Sequence, residues 1–501
     1  MAYEVNDRLS LSLLAEILEE KRAVPPVFFN TDRASALDFK TIEELNLNPK
    51  LSFTNNDLTI KNPRKNLQAQ ALYKINNNWS SQTVVSASNI KSDGIYTYIY
   101  GVDPEEPTQR NYFFQEFSNQ DYNTTTFDAQ QNFNGDFKIG NLRNRVLFGL
   151  DYFTRTVKNN SSGSLVTRRV NPQGDVISAD PSNPDGLDQS FIENGLAATE
   201  HSDTKITNSA YSAYASDVIN ITPALSALVG LRLDYFENKA NVETDDYDQL
   251  TFSPKFGLVY QPIIDKLSLF ANYMNTFYNV APSEIFDEDG TSLGVKSFKP
   301  EQANQIEVGA KANLLANKLF ATLSFYNTKV ANRVYYLPDG NGMQGGKTQS
   351  KGFELELTAN PLPQLNFIAG FSHGKIKVIE GNTGTPNDFY NEIGRSPGGQ
   401  GPQTLANFWG TYKFNSGKLR NFGLGFGGNY AGVYKVIDNS VTGVFNLPSY
   451  TLLNGSLFYN GERFRISANV NNLTNESYYI GYWSVNPQKP RNFTASVAYK
   501  F

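Results

Sequence analysis

The chain has 501 residues, a net charge of −5 and a pI near 5.4. It is longer than one ordinary core needs, and it lacks the basic tract of a nucleic-acid binder. It has no Cys and only two His, His201 and His373, which excludes disulfides and thiolate metal sites and argues against a His-based metal site or a Ser-His-Asp triad. Twenty-eight Tyr, 35 Phe and 38 Gly fit β-structure joined by polar loops. No run of eighteen apolar residues marks a helical membrane span. A mean hydropathy of −0.43 suits a soluble protein or a membrane barrel, whose strands alternate apolar and polar residues.

The opening MAYEVNDRLS has neither a basic nor an apolar leader segment, so no signal peptide is expected. From Leu9 to Ile17, residues Leu9, Leu11, Leu13, Ala15 and Ile17 share one parity, which predicts a strand despite the helical propensity of LLAEILEEKR. Leu267, Leu269, Ala271 and Tyr273 repeat the pattern. Leu319, Ala321, Leu323 and Phe325 follow, then Phe464, Ile466, Ala468 and Val470. The final segment, NFTASVAYKF, puts Phe493, Ala495, Val497, Tyr499 and Phe501 on one face and mostly polar residues on the other. Its length is that of one membrane-crossing strand, about 9–11 residues.

The connections alternate in length. Short turns are expected at Asn76–Asn78, Gly140-Asn141, Thr222-Pro223, Ala316-Asn317, Pro361–Pro363, Ser416-Gly417 and Gly461-Glu462. Long polar loops are expected at about 22–65, 101–109, 159–200, 279–299, 332–347, 379–401 and 436–446. Short turns on one rim and long loops on the other are the asymmetry of outer-membrane barrels. The pattern yields an all-β, antiparallel transmembrane β-barrel of about eighteen strands, as one domain over 1–501 whose C-terminus lies on the short-turn side. No strict repeat suggests a solenoid or propeller.

Several segments resemble TonB-dependent outer-membrane receptors of the ferric-siderophore, ferrichrome-type branch. They are Pro300, Glu301, Glu307, Gly309 and Lys311 in FKPEQANQIEVGAK; the Phe325–Arg333 hairpin strand; and SKGFELE from Ser350 to Glu356. Leu447-Pro-Ser-Tyr450, Asn469–Tyr479, and Pro490-Arg491 before a strand ending in Phe501 complete them. Leu147–Tyr152 and Gly230–Tyr235 are also similar to family strands. The resemblance implies a 22-stranded barrel behind a signal peptide, an energy-coupling box and a plug. Nothing here resembles the plug or box, so an N-terminally truncated barrel is expected, with the plug and about four first strands missing. On this reading Tyr3–Arg8 is the turn leading into the fifth strand.

The resemblance implies a Gram-negative outer-membrane receptor for siderophore and iron transport, energised by the TonB complex through the missing plug. Its partners are then a ferric siderophore, outer-membrane lipid and, through the strand ending in Phe501, the barrel-assembly machinery, with no nucleic acid. A ferric siderophore already satisfies its metal, so no cofactor or metal ligand is needed, only a concave aromatic site. Ligand-binding candidates are Phe28 and Phe29, where ferrichrome-type receptors place loop aromatics; Tyr96, Tyr98 and Tyr100, which share a parity; and Tyr482 and Trp483 in the last loop. For each the alternative is an interfacial girdle or packing role, because parity cannot be anchored to the lumen from sequence. Glu307, Lys311, Glu354, Glu356 and Arg465 are expected to line the lumen and pair across strands, facing the plug in an intact receptor. The other readings are a passive porin-like channel and a secreted all-β glycan-active enzyme, which needs an acid/base pair that no local motif singles out. No enzymatic activity is expected.

Overall fold

Period-2 apolarity becomes one continuous antiparallel wall in the computed structural model, which describes residues 2–30, 36–102, 112–241, 246–385, 388 and 390–500. Among them, nineteen strands pair with their sequence neighbours in the wall. The first six are Ala2–Asn6, Leu9–Leu18, Arg64–Lys74, Trp79–Val102, Phe113–Ile139 and Leu142–Asn159. Thr204–Thr222, Leu225–Ala240, Tyr247–Ile263, Leu267–Tyr278, Glu301–Leu314, Leu319–Tyr336 and Gly342–Leu362 follow. Leu365–Glu380, Thr404–Lys413, Phe422–Ala431, Tyr450–Asn460, Phe464–Asn471 and Asn492–Tyr499 complete the wall. No ladder between the last strand and the first occurs among the described residues. Phe501 lies outside them.

The two faces are chemically distinct. Phe493 and Val497 are 74% and 69% exposed on the outer face, as expected for lipid-facing side chains. The opposite parity forms a polar ladder along the lumen. Ser467 Oγ meets Ser496 Oγ at 2.7 Å, Asn469 Nδ2 donates to Thr494 Oγ1 at 3.4 Å, and Asn471 Nδ2 donates to Asn492 Oδ1 at 2.9 Å. Aromatic rings bracket the apolar band, as at a membrane interface. Tyr152, Tyr211 and Tyr235 form a row at 5.0 and 6.3 Å towards the long loops. Trp79–Phe137, Phe422–Tyr459 and Phe464–Tyr499 pair near the short turns.

The turns follow from local side-chain hydrogen bonding. Asn6 Oδ1 accepts from the N–H groups of Arg8 and Leu9. Asn76 Oδ1 accepts from Asn78 and Trp79, and Thr222 Oγ1 from Ala224 and Leu225. The first of these corrects the strand count. Tyr3–Arg8 is not merely a turn: Ala2–Asn6 is a strand paired with Leu9–Leu18, so the wall has nineteen described strands instead of about eighteen. The loop expected at 332–347 shrinks to 337–341, because polar residues extend both flanking strands to a Tyr336–Gly342 closing pair. Glu307, Lys311, Glu354, Glu356 and Arg465 do share the lumen parity. The expected cross-strand ion pairs do not form there; the Lys311 ammonium instead sits 5.7 Å from the centre of the Phe270 ring.

The long loops carry their own structure. The helix Ile42–Leu45 starts at a reciprocal cap, with Glu44 N–H donating to Thr41 Oγ1 and Lys40 N–H donating to Glu44. The helix Gln189–Ala197 is capped by Asp188, and it buries Ile192 and Leu196 against Leu58, Ile95 and Phe117. A second cluster joins Phe28, Phe39, Leu45, Ile99 and Phe113 to Val436, Ile437, Phe445 and Val485. These two clusters hold the long-loop rim together.

Candidate functional site

The long-loop mouth of the lumen collects most of the aromatics marked in the sequence. The strand Trp79–Val102 pairs with Phe113–Ile139 without a register break from Trp79 to Tyr100. Val85 is exposed on the outer face, so Tyr96, Tyr98 and Tyr100, of opposite parity, lie on the lumen side. Sequence alone left that orientation open. Gly94 sits where the loop strand Thr59–Lys61 crosses this wall. It has φ +133°, and a Cβ there would fall 2.2 Å from the Thr59 carbonyl oxygen, so only glycine permits the crossing.

The two-residue strand Phe28–Phe29 pairs with Val485 and Ser484 and, in parallel, with Ile99. Its residues face opposite ways. Phe28 is 1% exposed and packs edge-on against Phe53 and Phe113, each at 5.2 Å. Its ring therefore presents no free surface, which corrects its assignment as a ligand contact. Phe29 turns to the lumen side, 5.7 Å from Tyr98 and 4.7 Å from Trp483. Trp483 is held there by its carbonyl, which accepts from Asn30 N–H at 3.1 Å. Tyr98 continues to Tyr96 and Tyr100 at 6.3 and 5.5 Å. The Tyr98 hydroxyl donates to the buried Glu116 carboxylate, its direct cross-strand partner. Glu116 and Tyr390, which stacks on Tyr482 at 5.9 Å, were not singled out in the sequence. Tyr482 itself is 52% exposed.

Polar knots tie the loops around this surface. Asp438 accepts from Arg395 Nη1 at 3.0 Å, Lys435 Nζ at 3.1 Å and Ser396 N–H at 3.1 Å. Burial alone would raise its carboxyl pKa, but these hydrogen bonds hold it below the usual aspartate range. Arg395 also binds Glu392, which accepts from Ser440 N–H. Across the mouth, Arg168 is almost fully buried. Its Nε donates to Gln115 Oε1 at 2.7 Å, Nη1 to the Asp185 carbonyl at 2.6 Å and Nη2 to the Phe53 carbonyl at 3.0 Å. Burial pushes its guanidinium down to about 10, with Asp185 opposing the shift. Among the described residues, no group of three or more His, Asp or Glu is placed to hold a metal ion.

Comparison with known proteins agrees with this architecture. The family model described as TonB dependent receptor-like, beta-barrel, matches residues 21–473. The chain belongs to that family. It is 24% identical over 470 residues to a metal-pseudopaline receptor, CntO, of Pseudomonas aeruginosa, covering 89% of this chain and 60% of that protein. It is 23% identical to the catecholate siderophore receptor Fiu of Escherichia coli K12, covering 84% and 58%. The crystal structure of Fiu in a closed form superposes with a TM-score of 0.79 at 17% identity, covering all of this chain and 73% of that one. The siderophore receptor PiuA of Acinetobacter baumannii gives 0.78 at 18% identity, with the same coverage. The chain thus spans about 60% of the length of the curated relatives it matches.

Membership places the barrel in the outer membrane of Gram-negative bacteria, and its relatives are receptors, not enzymes. The ferrichrome-type branch expected from the motifs finds no support in these relatives' names.

Proposed function

We propose that this chain is the barrel of a receptor that takes up a ferric siderophore or a related metal chelate, energised by the TonB complex in the intact protein. The observation that carries this reading is the joined aromatic surface of Phe29, Trp483, Tyr96, Tyr98 and Tyr100 at the lumen mouth. A bulky, already-chelated ion is recognised by such flat surfaces and a few fixed polar groups, with Tyr482 and Tyr390 extending them. The names of the relatives point to the same ligand class. Phe28 acts through packing, by fixing the strand that presents Phe29. The last strand, Asn492–Tyr499, is the segment offered to the barrel-assembly machinery.

The test is titration with a metal-pseudopaline, a ferric catecholate and a ferric pyoverdine, following tryptophan emission. Trp483 reports on the mouth, while Trp79 stacks on Phe137 near the short turns. Phe29→Ala and Tyr98→Ala should each weaken binding by about five- to 150-fold, for loss of roughly 1–3 kcal/mol of aromatic contact. Binding of a vitamin or an oligosaccharide in place of every chelate would show the substrate class to be wrong. Full affinity in both variants would return these residues to packing roles.

A further inference from the structure

One rung of the wall at the mouth carries an acid that no base neutralises. Glu116 is 6% exposed. It stands between two direct cross-strand partners, Tyr98 on Trp79–Val102 and Val166 on Leu165–Val170. The adjacent rungs of the same parity are Tyr100 opposite Phe114 and Tyr96 opposite Ser118. Glu116 has no ion pair among the described residues. What it accepts is a hydrogen bond from the neutral Tyr98 hydroxyl. Arg169, opposite Phe114 on the neighbouring strand, is itself engaged. A carboxylate held out of water is costly unless a cation meets it. Orienting a tyrosine needs no charge, because a glutamine carbonyl in the same place accepts the same bond. The charge of Glu116 therefore has a use beyond holding Tyr98.

Its surroundings indicate that use. Phe114 adds a ring to the mouth, 6.3 Å from Tyr100. Five rings then run in sequence from Trp483 through Phe29, Tyr98 and Tyr100 to Phe114. Their successive planes differ by 42°, 83°, 43° and 43°, so they form a faceted surface and not a flat stack. Aromatic faces attract cations through their quadrupoles, within about 6 Å of the ring centre. A cation over Tyr98 also lies close to the carboxylate to which that ring's hydroxyl donates. Aromatic faces beside an unpaired carboxylate suit an organic ammonium. A bare metal ion needs several acidic or imidazole ligands, and no group of three such side chains is placed to hold one among the described residues.

We propose that the mouth recognises a positively charged amine carried on the outside of the chelate, with Glu116 as its counter-ion and the Tyr98 and Tyr100 rings as its seat. The inference rests on the reading of this mouth as the ligand site, and it narrows the substrate class. Amine-bearing chelates are favoured, and the acid disfavours polyanionic ones such as a ferric tris-catecholate.

The test uses the 501-residue chain in detergent and two pairs of probes, the members of each pair differing by one charge. One pair is a ferric trihydroxamate with a free ammonium and its N-acetyl form; the other is butylammonium and butanol. Binding is read by tryptophan emission. The parent protein should bind the charged member of each pair about tenfold more tightly. Glu116→Gln should bring that ratio to about one, and Glu116→Asp should keep part of it. Tyr98→Phe should keep the ratio, since it retains both the ring and the acid. No preference in the parent protein, or the same preference in Glu116→Gln, would overturn the inference. So would an equal loss of both members in Glu116→Gln, the mark of a residue that only positions Tyr98. Loss of the preference in Tyr98→Phe would assign it to the hydroxyl and overturn the inference even if Glu116→Gln failed to fold. A preference for butylammonium with neither chelate bound would sink the chelate reading and leave the cation site standing. Both chelates bound without preference would do the reverse.

Discussion

The ring of Tyr482 lies against Gly399, so closely that a Cβ on the glycine would come 1.7 Å from ring carbon Cε2. Gly399 also has φ +75° and donates its N–H to the Val436 carbonyl. It therefore joins the loops 381–403 and 432–449 while leaving room for a ring from the loop 472–491. Gly399→Ala is expected to expel Tyr482 from its stack on Tyr390 and to cost about 1–3 kcal/mol in local stability, through strain at positive φ. Faster proteolysis of these loops, with the barrel's β-sheet circular dichroism unchanged, would show this. Unaltered cleavage would mean that the ring simply rotates away.

Arg168 holds three segments with one guanidinium: Phe53 in the first long loop, Gln115 on the wall and Asp185 in the loop 160–203. Arg168→Met leaves buried acceptors unsatisfied, at about 1–3 kcal/mol each. The loop carrying the helix Gln189–Ala197 should then detach before the barrel melts. Arg168→Lys should rescue little, since an ammonium cannot reproduce the planar fork. Amide exchange within Gln189–Ala197 is the measurement. Rescue by lysine would show that charge alone is what the site needs.

The Asp438 knot predicts a pH dependence. Its folded-state pKa lies below the unfolded value, so its stabilisation is complete above the ordinary aspartate pKa of about 3.9. It is lost as pH falls through the folded-state value. Loops 381–403 and 432–449 should therefore loosen only in acid below about pH 4. Asp438→Asn should loosen them at neutral pH, at a cost of about 1.5–3 kcal/mol for charge-assisted hydrogen bonds. Amide exchange at Ser396 from pH 3 to 7 tests both. A flat profile in the parent protein would exclude Asp438 as the titrating group.

The wall was legible in the sequence because lipid imposes period-2 apolarity that local composition cannot hide, as at Phe493 and Val497. The turns were legible because Asn76 and Thr222 fold them through their own side chains. The rim was not, since its order comes from distant contacts. Leu58, Phe117 and Ile192 make one cluster from three loops and strands, and no short window of sequence contains it. Phe28 and Phe29 read as equivalent until the ladder with Val485 and Ser484 sent one ring into the core and the other to the lumen. Family resemblance found the barrel but not its ligand branch.

The two faces of the final strand provide the most direct test of the membrane reading. Val497 points outward and pairs with Ile466, between the Tyr499–Phe464 aromatic pair at the short-turn edge and the rest of the apolar band. Its neighbour Ser496 points into the lumen and meets Ser467 Oγ. Val497→Arg should cost about 2 kcal/mol, between the values for an interface and a bilayer midplane, reduced to the extent that the guanidinium reaches the nearby headgroups. Ser496→Arg should cost well under 1 kcal/mol, because the lumen is polar and the lost Ser–Ser hydrogen bond is worth only about 1 kcal/mol before the new side chain finds water or an acceptor. Reversible denaturation in lipid vesicles measures both. Equal penalties would mean that the wall does not separate lipid from lumen at this strand, and a larger penalty at Ser496 would invert the assignment of faces for the whole ladder, since Phe464–Asn471 and its neighbours share the same register.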